Sequence, residues 1–557
     1  MGAILALAEE TWARQLPFMV DCFTYWTLQK RKQHLQKKKN SDMKKIIETC
    51  MIVAFAITGI WSCSKEIIGR TDNIPALNPS STDINAGTWK PILLTAPTDI
   101  VVAAPAATNT PDYIAQINEI KSFQANLTAT EERIVKYWSA GAILRWNEIL
   151  RELVAKHNVP PYQNADGTYP IPNANNPLAY PTFPFSNPPF AARAYGYMSA
   201  AQYDALVTAW YYKTTYNRKA PYKVDSSLRV MVATSDLPSY PSEDAVVVGV
   251  SVEMLKLLFP GDQEYIQLKA EEHKRARIIS GANVRSDIEA GEALGKAVAQ
   301  KFVARAKGDR AGAAVGNQPI WTKLEDDCMA RGETPWLSLE IPKRPPMLPV
   351  FGKVKSFLFD SLTCVSMVPG PPPPVKSQQM KDELEEVYQQ VLHTTREKTA
   401  IVQFWADGVG TYTPPGHWDA IAADDFIKKN YSEVRWARNM ALLNMSLMDA
   451  AIVCWQTKSA YYSPRPTQLN PAIKTLTGVP NFPAYISGHS TFSGAAAAIL
   501  GHIIPARASA YNAMADEASM SRLYGGLHYK SDCTTGLIVG KNVGNYAIQR
   551  AVTDGAE

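Results

Sequence analysis

The sequence predicts a mainly α-helical protein made of two related bundles in tandem, with the chemistry confined to the second. Three observations lead there. After Pro111, apolar residues recur at three- and four-residue spacings, and strand-like alternation is scarce. Three segments repeat at one fixed offset. Only the later copy keeps a full set of anion-gripping side chains. With 557 residues, 46% of them hydrophobic and 20% charged, the chain can bury a large core. The net charge of +5 is small and concentrated in Gln29 to Asn40, which gives no reason to expect a nucleic-acid partner.

Taken in order, residues 1–42 read as a leader or a mis-assigned start. Residues 43–63, beginning "MKKIIETCMIVAF", have a basic start and a twelve-residue apolar run from Cys50 to Trp61. Such a run is too short to span a bilayer and suits a signal-peptide core. Its end, "GIWSC", resembles a bacterial lipobox. That resemblance implies lipidation of Cys63 and a place in the bacterial cell envelope, lipid-anchored or periplasmic; an uncleaved anchor is the alternative. No later stretch reaches 18 apolar residues. Residues 64–110, rich in Pro, Thr, Ala and Asn, read as a linker. Residues 111–341 read as the first bundle, with a capping-box pattern at Thr128 to Glu131. Its helices are interrupted by a Pro- and Asn-rich connector from Pro160 to Pro189. Residues 342–379 form a Pro-rich connector, and residues 380–557 the second bundle. None of the seven cysteines forms CxxC, which argues against a zinc site; a Cys328–Cys364 bridge is open but not demanded.

The repeat aligns "DALVTAWYYKTTYNRKAP" with "DAAIVCWQTKSAYYSPRP", "LPSYPSED" with "FPAYISGH", and "RSDIEAGEALGK" with "KSDCTTGLIVGK". Lys213 and Lys458, Ser242 and Ser487, and Asp287 and Asp532 are thus each 245 residues apart. An earlier pair, "IVKYW" and "IVQFW", lies 267 apart. The copies differ where chemistry would sit. Arg465 faces Ala220, Gly488 faces Glu243, His489 faces Asp244, and His528 faces Asn283. Two added carboxylates would repel an anion, so the first copy reads as scaffold. Its Lys213, Trp210 and Asp287 serve packing and buried pairing.

In the second copy, Lys458, Arg465 and Arg522 supply positive charge, and Ser487 supplies a hydroxyl. Gly488 offers a backbone amide where a helix begins. Together these can surround a tetrahedral or trigonal-bipyramidal oxyanion. His528 and Asp532 stand four apart, so the carboxylate can hold one ring nitrogen and leave the other free to attack or ligate. His489 supplies a general acid or base. Singly, each residue has a bland reading: a surface lysine, a turn, a helix cap, a structural hydrogen bond. Their joint order and spacing set those readings aside.

Lys-x6-Arg-Pro, Ser-Gly-His and Ser-Arg-x5-His-x3-Asp resemble the signature shared by the type 2 phosphatidic acid phosphatase (PAP2) superfamily and the vanadium-dependent haloperoxidases. The chain departs from it at Ile486, where the family has proline. The resemblance implies two four-helix bundles and vanadate as cofactor. It makes His528 the axial ligand, or the phosphorylated nucleophile of a phosphatase. Lys458, Arg465, Ser487, Gly488 and Arg522 would hold oxygens, and His489 would contact the apical oxygen. The implied partners are hydrogen peroxide and halide, giving a hypohalous-acid equivalent; the alternative is a phosphate ester cleaved by a soluble periplasmic acid phosphatase. Trp455 and Phe482 resemble a halide pocket, an apolar wall expected to leave little room for a bulky phosphomonoester. His417, in a segment resembling bacterial haloperoxidase homologues, is read as a loop residue without a catalytic role. A binding protein with a residual anion pocket is a third reading, disfavoured by the intact second set.

Overall fold

The computed structural model describes residues 74–158, 187–341 and 343–557. Cys63, the signal-like segment and most of the 160–189 connector lie outside them. Among the described residues the regular structure is helical, and no helix is long and apolar enough to cross a membrane.

The first half carries α1 (Pro111–Ala125), α2 (Ala129–Trp138), α3 (Ala142–His157), α4 (Pro188–Tyr216), α5 (Pro221–Val224), α6 (Glu243–Leu258), α7 (Gln263–Ile279) and α8 (Arg285–Lys307). Two helices, α9 (Gln318–Ala330) and α10 (Ser361–Ser366), intervene. The second half carries α11 (Gln378–Leu392), α12 (Arg396–Phe404), α13 (Thr413–Lys429), α14 (Glu433–Tyr461), α15 (Pro466–Leu469), α16 (Gly488–Ile503), α17 (Ala508–Tyr524) and α18 (Lys530–Ala551). The bounds of α14, α15, α16 and α17 are those of α4, α5, α6 and α7 displaced by 245 residues.

Local sequence starts these helices. Thr128 Oγ1 accepts the Glu131 N–H and the Glu131 carboxylate accepts the Thr128 N–H, the reciprocal cap read at α2. The long helices α4 and α14 are hidden on nearly every face, so their inner turns show little polar stripe and they form the centre of the molecule. They pack on each other, and Gly196 lets α4 approach the Asn444 carbonyl and Met448 of α14. Glu433, at the start of α14, accepts the N–H groups of Ala142 and Ile143 in the other half. The two halves therefore share one compact unit from Pro75 to Glu557.

Helices α16 and α18 touch backbone to backbone. A Cβ on Gly540 would stand 2.1 Å from the Thr491 carbonyl oxygen, and one on Gly295 in the first half 2.2 Å from that of Val246. The obstacle is main chain, which cannot swing aside. Gly540→Ala is expected to cost about 1–3 kcal/mol or more, read as a lower unfolding midpoint in urea; an unchanged midpoint would contradict the close packing.

Both segments read as irregular connectors are packed straps. Trp89, Leu94, Ile100 and Val102 are buried, and the Asp204 carboxylate accepts the N–H groups of Leu93 and Leu94 at 2.8 and 2.9 Å. Asp449, 245 residues later, accepts the N–H groups of Phe357 and Leu358 from the second strap. Residues 75–110 are thus not a free linker, because a buried carboxylate needs those amides as partners. The open disulfide is absent: Cys328 and Cys364 are both free and buried.

Candidate active site

The site is assembled at the ends of second-half helices. Lys458 lies one turn before the end of α14, which Tyr462 closes in a left-handed conformation. Arg465 is the N-cap residue of α15. The chain returns through Phe482 to Ser487, which caps α16 by accepting the Ser490 N–H on its hydroxyl at 3.3 Å. Gly488 then opens α16, so its amide belongs to the unpaired first turn. After α17, the turn through Gly526 (φ +77°) delivers His528 just ahead of α18.

His528 therefore lies just outside α18, and its pairing with Asp532 is made across the start of that helix. Asp532 sits in the first turn of α18 and accepts the Tyr529 N–H at 3.3 Å and His528 Nδ1–H at 2.9 Å. That carboxylate fixes the tautomer: Nδ1 carries the proton, and Nε2 presents its lone pair to Arg465 Nη1 at 2.8 Å. Arg465 also donates from Nε to the Phe482 carbonyl and from Nη1 to that of Leu527, both at 2.9 Å. Arg522 donates to Ser521 Oγ and the Val402 carbonyl.

Lys458 is spent differently from expectation. Its buried ammonium donates to the carbonyls of Pro483, Ala484 and Ile486 at 2.8, 2.9 and 2.6 Å, which uses all three N–H groups on the loop before Ser487. The Trp455 and Phe482 rings stand 5.1 Å apart. Lys458 Nζ lies 5.0 Å and Arg465 Cζ 4.9 Å from the Phe482 ring centre, so the aromatic wall is backed by cations.

One cavity of about 470 Å³ is lined by His489, His528, Arg522, Gly488, Trp455 and Phe482. Both imidazoles thus open into the same space. Lys458, Arg465, Ser487 and Asp532 are not among its lining residues, although Arg465 reaches His528 Nε2, which is on the lining side. Residues of the second strap, Arg344 and Met347, and of the Thr477–Phe482 loop also line it.

Burial dominates the electrostatics. It pushes Arg465 and Arg522 down to about 10 and Lys458 to about 7. Burial, followed by the nearby Arg465 and Lys458 charges, holds His528 well below its ordinary value; burial, then Arg522 and His417, does the same to His489. Both rings are neutral at ordinary pH, which suits one as ligand or nucleophile and the other as proton acceptor. Burial raises the Asp532 carboxyl, and the neighbouring cations oppose it.

Among the described residues, the buried polar atoms around this site that have no hydrogen-bond partner include Arg465 Nη2, His489 Nε2, Asp407 Oδ2 and Thr413 Oγ1. Such orphans are costly unless something else satisfies them. Asp407 is the residue the motifs missed. Its Oδ2 lies 3.7 Å from His489 Nε2, and its Oδ1 accepts His417 Nδ1–H at 3.0 Å. His417 is accordingly not a loop residue: it is in α13, buried, and stacked on Trp405 with ring centres 4.6 Å apart. The signal was present in the "IVKYW"/"IVQFW" alignment, which at its offset of 267 sets Ala140 opposite Asp407.

The first half shows what the same frame does without an anion. Lys213 donates to the Pro238 carbonyl and pairs with Glu243 at 2.8 Å. Asp244 pairs with Arg277 and His273, and Arg218 with Asp287. Its charges are settled internally. The double substitution Asp244→His with Asn283→His is expected to add no second orthovanadate to the protein, since Glu243 still occupies Lys213 and Ala220 supplies no guanidinium; a second equivalent in equilibrium dialysis would contradict this.

No curated protein matches the chain. Residues 439–553 match the PAP2 superfamily. Among solved structures, a bacterial vanadium-dependent iodoperoxidase is similar with a TM-score of 0.52 at 21% identity, over 68% of this chain and 94% of that one. The holo form of a bacterial vanadium-dependent chloroperoxidase gives a TM-score of 0.46 at 12% identity, over 67% and 93%. Residues 439–553 are thus similar to the PAP2 superfamily, and they stand within an all-helical fold like that of the vanadium-dependent iodoperoxidase.

Proposed function

We propose that the protein is a vanadate-dependent haloperoxidase, which uses hydrogen peroxide to oxidise halide to a hypohalous-acid equivalent. The supporting observation is that Arg465 Nη2 and His489 Nε2 are unpaired at a site where His489, neutral His528, Arg522 and Gly488 line one cavity and Arg465 touches His528. This donor set fits a compact oxyanion such as vanadate. His528 Nε2 would ligate it, with Arg465, Arg522, Ser487 and the Gly488 amide on its oxygens and Lys458 holding the loop that places them. Bound vanadate supplies Lewis-acid activation of peroxide without changing oxidation state.

The chain's own residues do the rest. Asp532 keeps the proton on His528 Nδ1 and so keeps Nε2 nucleophilic. His489, neutral and next to the Asp407 carboxylate, takes a proton from incoming peroxide and returns it to the departing oxygen. Trp455 and Phe482 exclude water beside the cationic floor, where a weakly hydrated halide gains more from charge than in bulk water.

The cavity's room keeps a second reading in play: a PAP2-type phosphatase in which His528 Nε2 attacks a phosphoryl group held by the same cations. Incubation with orthovanadate, peroxide, bromide and a phenol-red-type acceptor, alongside p-nitrophenyl phosphate, separates the two. Bromination without ester cleavage is expected. Ester cleavage without bromination would replace the first reading by the second.

A further inference from the structure

Asp532 accepts His528 Nδ1–H and the Tyr529 N–H on one oxygen, Oδ2. The residue also lines a second cavity, of about 260 Å³, and does not line the one shared by the two imidazoles. The second cavity is walled by the four prolines 371–374 of the second strap, Met380 of α11 and Tyr461 at the end of α14. Most of its polar groups are committed to main chain. Arg331 donates to the Tyr461 carbonyl at 3.0 Å, Tyr461 Oη to that of Pro369 at 2.6 Å, and Cys328 Sγ to that of Tyr462 at 3.8 Å. Glu333 accepts the Val375 N–H and Ser463 Oγ the Tyr485 N–H, each at 3.0 Å. Thr334 is half-buried at the rim.

Two buried groups are left over. Tyr529 lines the cavity, is 1% exposed, and its hydroxyl has no hydrogen-bond partner. Among the described residues, Asp532 Oδ1 accepts no hydrogen bond either. An unpaired donor and an unpaired acceptor beside one apolar space are costly unless a ligand completes both. An ion suits neither. Nearby Lys458 and Arg465 already counter the Asp532 charge, so a cation gains little there, and an anion meets Asp532 and Glu333. One neutral hydroxyl suits both, since it donates and accepts at once. An apolar cavity of about 150 Å³ encloses benzene, so this one has room for a six-carbon ring and its hydroxyl.

We propose that this second cavity binds a small neutral alcohol with a compact apolar body, and that its occupant adjusts His528 from behind through Asp532. The hydroxyl donates to Asp532 Oδ1 and accepts from Tyr529, while the body lies against the prolines and Met380. A hydrogen bond on Oδ1 draws charge from the carboxylate. Asp532 then holds His528 Nδ1–H less strongly, and Nε2 becomes a weaker base. Neither step depends on which reaction the site performs.

The test titrates cyclohexanol calorimetrically into the full chain, beside methoxycyclohexane, which keeps the acceptor and lacks the donor. The ether is expected to bind about tenfold more weakly. Tyr529→Phe removes one hydroxyl, keeps the ring, and is expected to weaken cyclohexanol binding about three- to tenfold. Thr334→Trp fills the rim and is expected to weaken both probes about tenfold or more. The link is read in protein labelled with nitrogen-15 in its eight histidines, where His528→Asn assigns the His528 signal. Saturating cyclohexanol is expected to move the His528 Nδ1–H resonance upfield, and methoxycyclohexane to leave it in place. Absence of cyclohexanol binding, equal binding of alcohol and ether, or binding indifferent to both variants would overturn the site. An unmoved His528 signal in the cyclohexanol-saturated protein would overturn the link to His528.

Discussion

Replacing His528 with asparagine is expected to abolish activity, by about 10³-fold or more in kcat/KM, whichever of the two reactions is measured. Among the described residues, the imidazole is the neutral nitrogen nucleophile on the cavity wall that a carboxylate holds in a defined tautomer. Asparagine offers no such lone pair. The fold has reason to accept it, since Asn283 occupies the equivalent place in the first half and donates to the Ser239 carbonyl at 3.0 Å. Arg465 also keeps the carbonyls of Phe482 and Leu527, so the guanidinium stays in position. An unchanged circular dichroism spectrum with activity lost, and with orthovanadate no longer retained on dialysis, is the anticipated pair of results. Retention of full activity would remove His528 from the reaction.

Lys458→Met is expected to do more than weaken anion binding. The ammonium ties three successive parts of one loop through the carbonyls of Pro483, Ala484 and Ile486. Methionine fills the space but leaves those acceptors unsatisfied, at about 1–3 kcal/mol each, offset in part because a buried charge is removed with them. A net loss on the order of 2–4 kcal/mol in urea unfolding follows. The same residue sets the pH dependence of the site. Burial lowers its pKa to about 7, so the free protein's ammonium is present below that pH and lost above it. An anion binds best to the charged form. Sulfate, whose own charge does not change in this range, is therefore expected to bind with nearly constant affinity below pH 7. Above it, affinity falls by up to about tenfold per pH unit, because binding must first restore the proton. Lys458→Met should bind sulfate weakly with a shallower break, the part left by Asp532, whose carboxyl burial raises to about 7. A wild-type affinity flat from pH 6 to 9 would show that Lys458 does not titrate with the anion.

Much of this was legible in the chain because it is periodic. Helix positions follow from local spacing and caps, and Thr128 with Glu131 closes its box as the pattern required. Residues brought together from α14, the Phe482–Gly488 loop and the start of α18 were readable as a set because their order and spacing resemble one family signature. Asp407 and His417 were not, because their roles depend on a left-handed turn at Asp407 and on stacking against Trp405, neither of which leaves a spacing pattern. The straps were misread for a related reason. Pro- and Ala-rich composition signals missing helix, and only the buried carboxylates of Asp204 and Asp449 turn those segments into fixed walls.

By itself, the sequence determined the helical class and the 245-residue offset that α4–α7 and α14–α17 share, since these depend on residue type and spacing along one chain. Tertiary structure decided what each charge does. It spent Lys458 on its own loop, left Arg465 Nη2 and His489 Nε2 unpaired, and opened a space far larger than peroxide and halide require. Those outcomes depend on distances between atoms hundreds of residues apart and on removal from water, and neither is encoded in any local stretch.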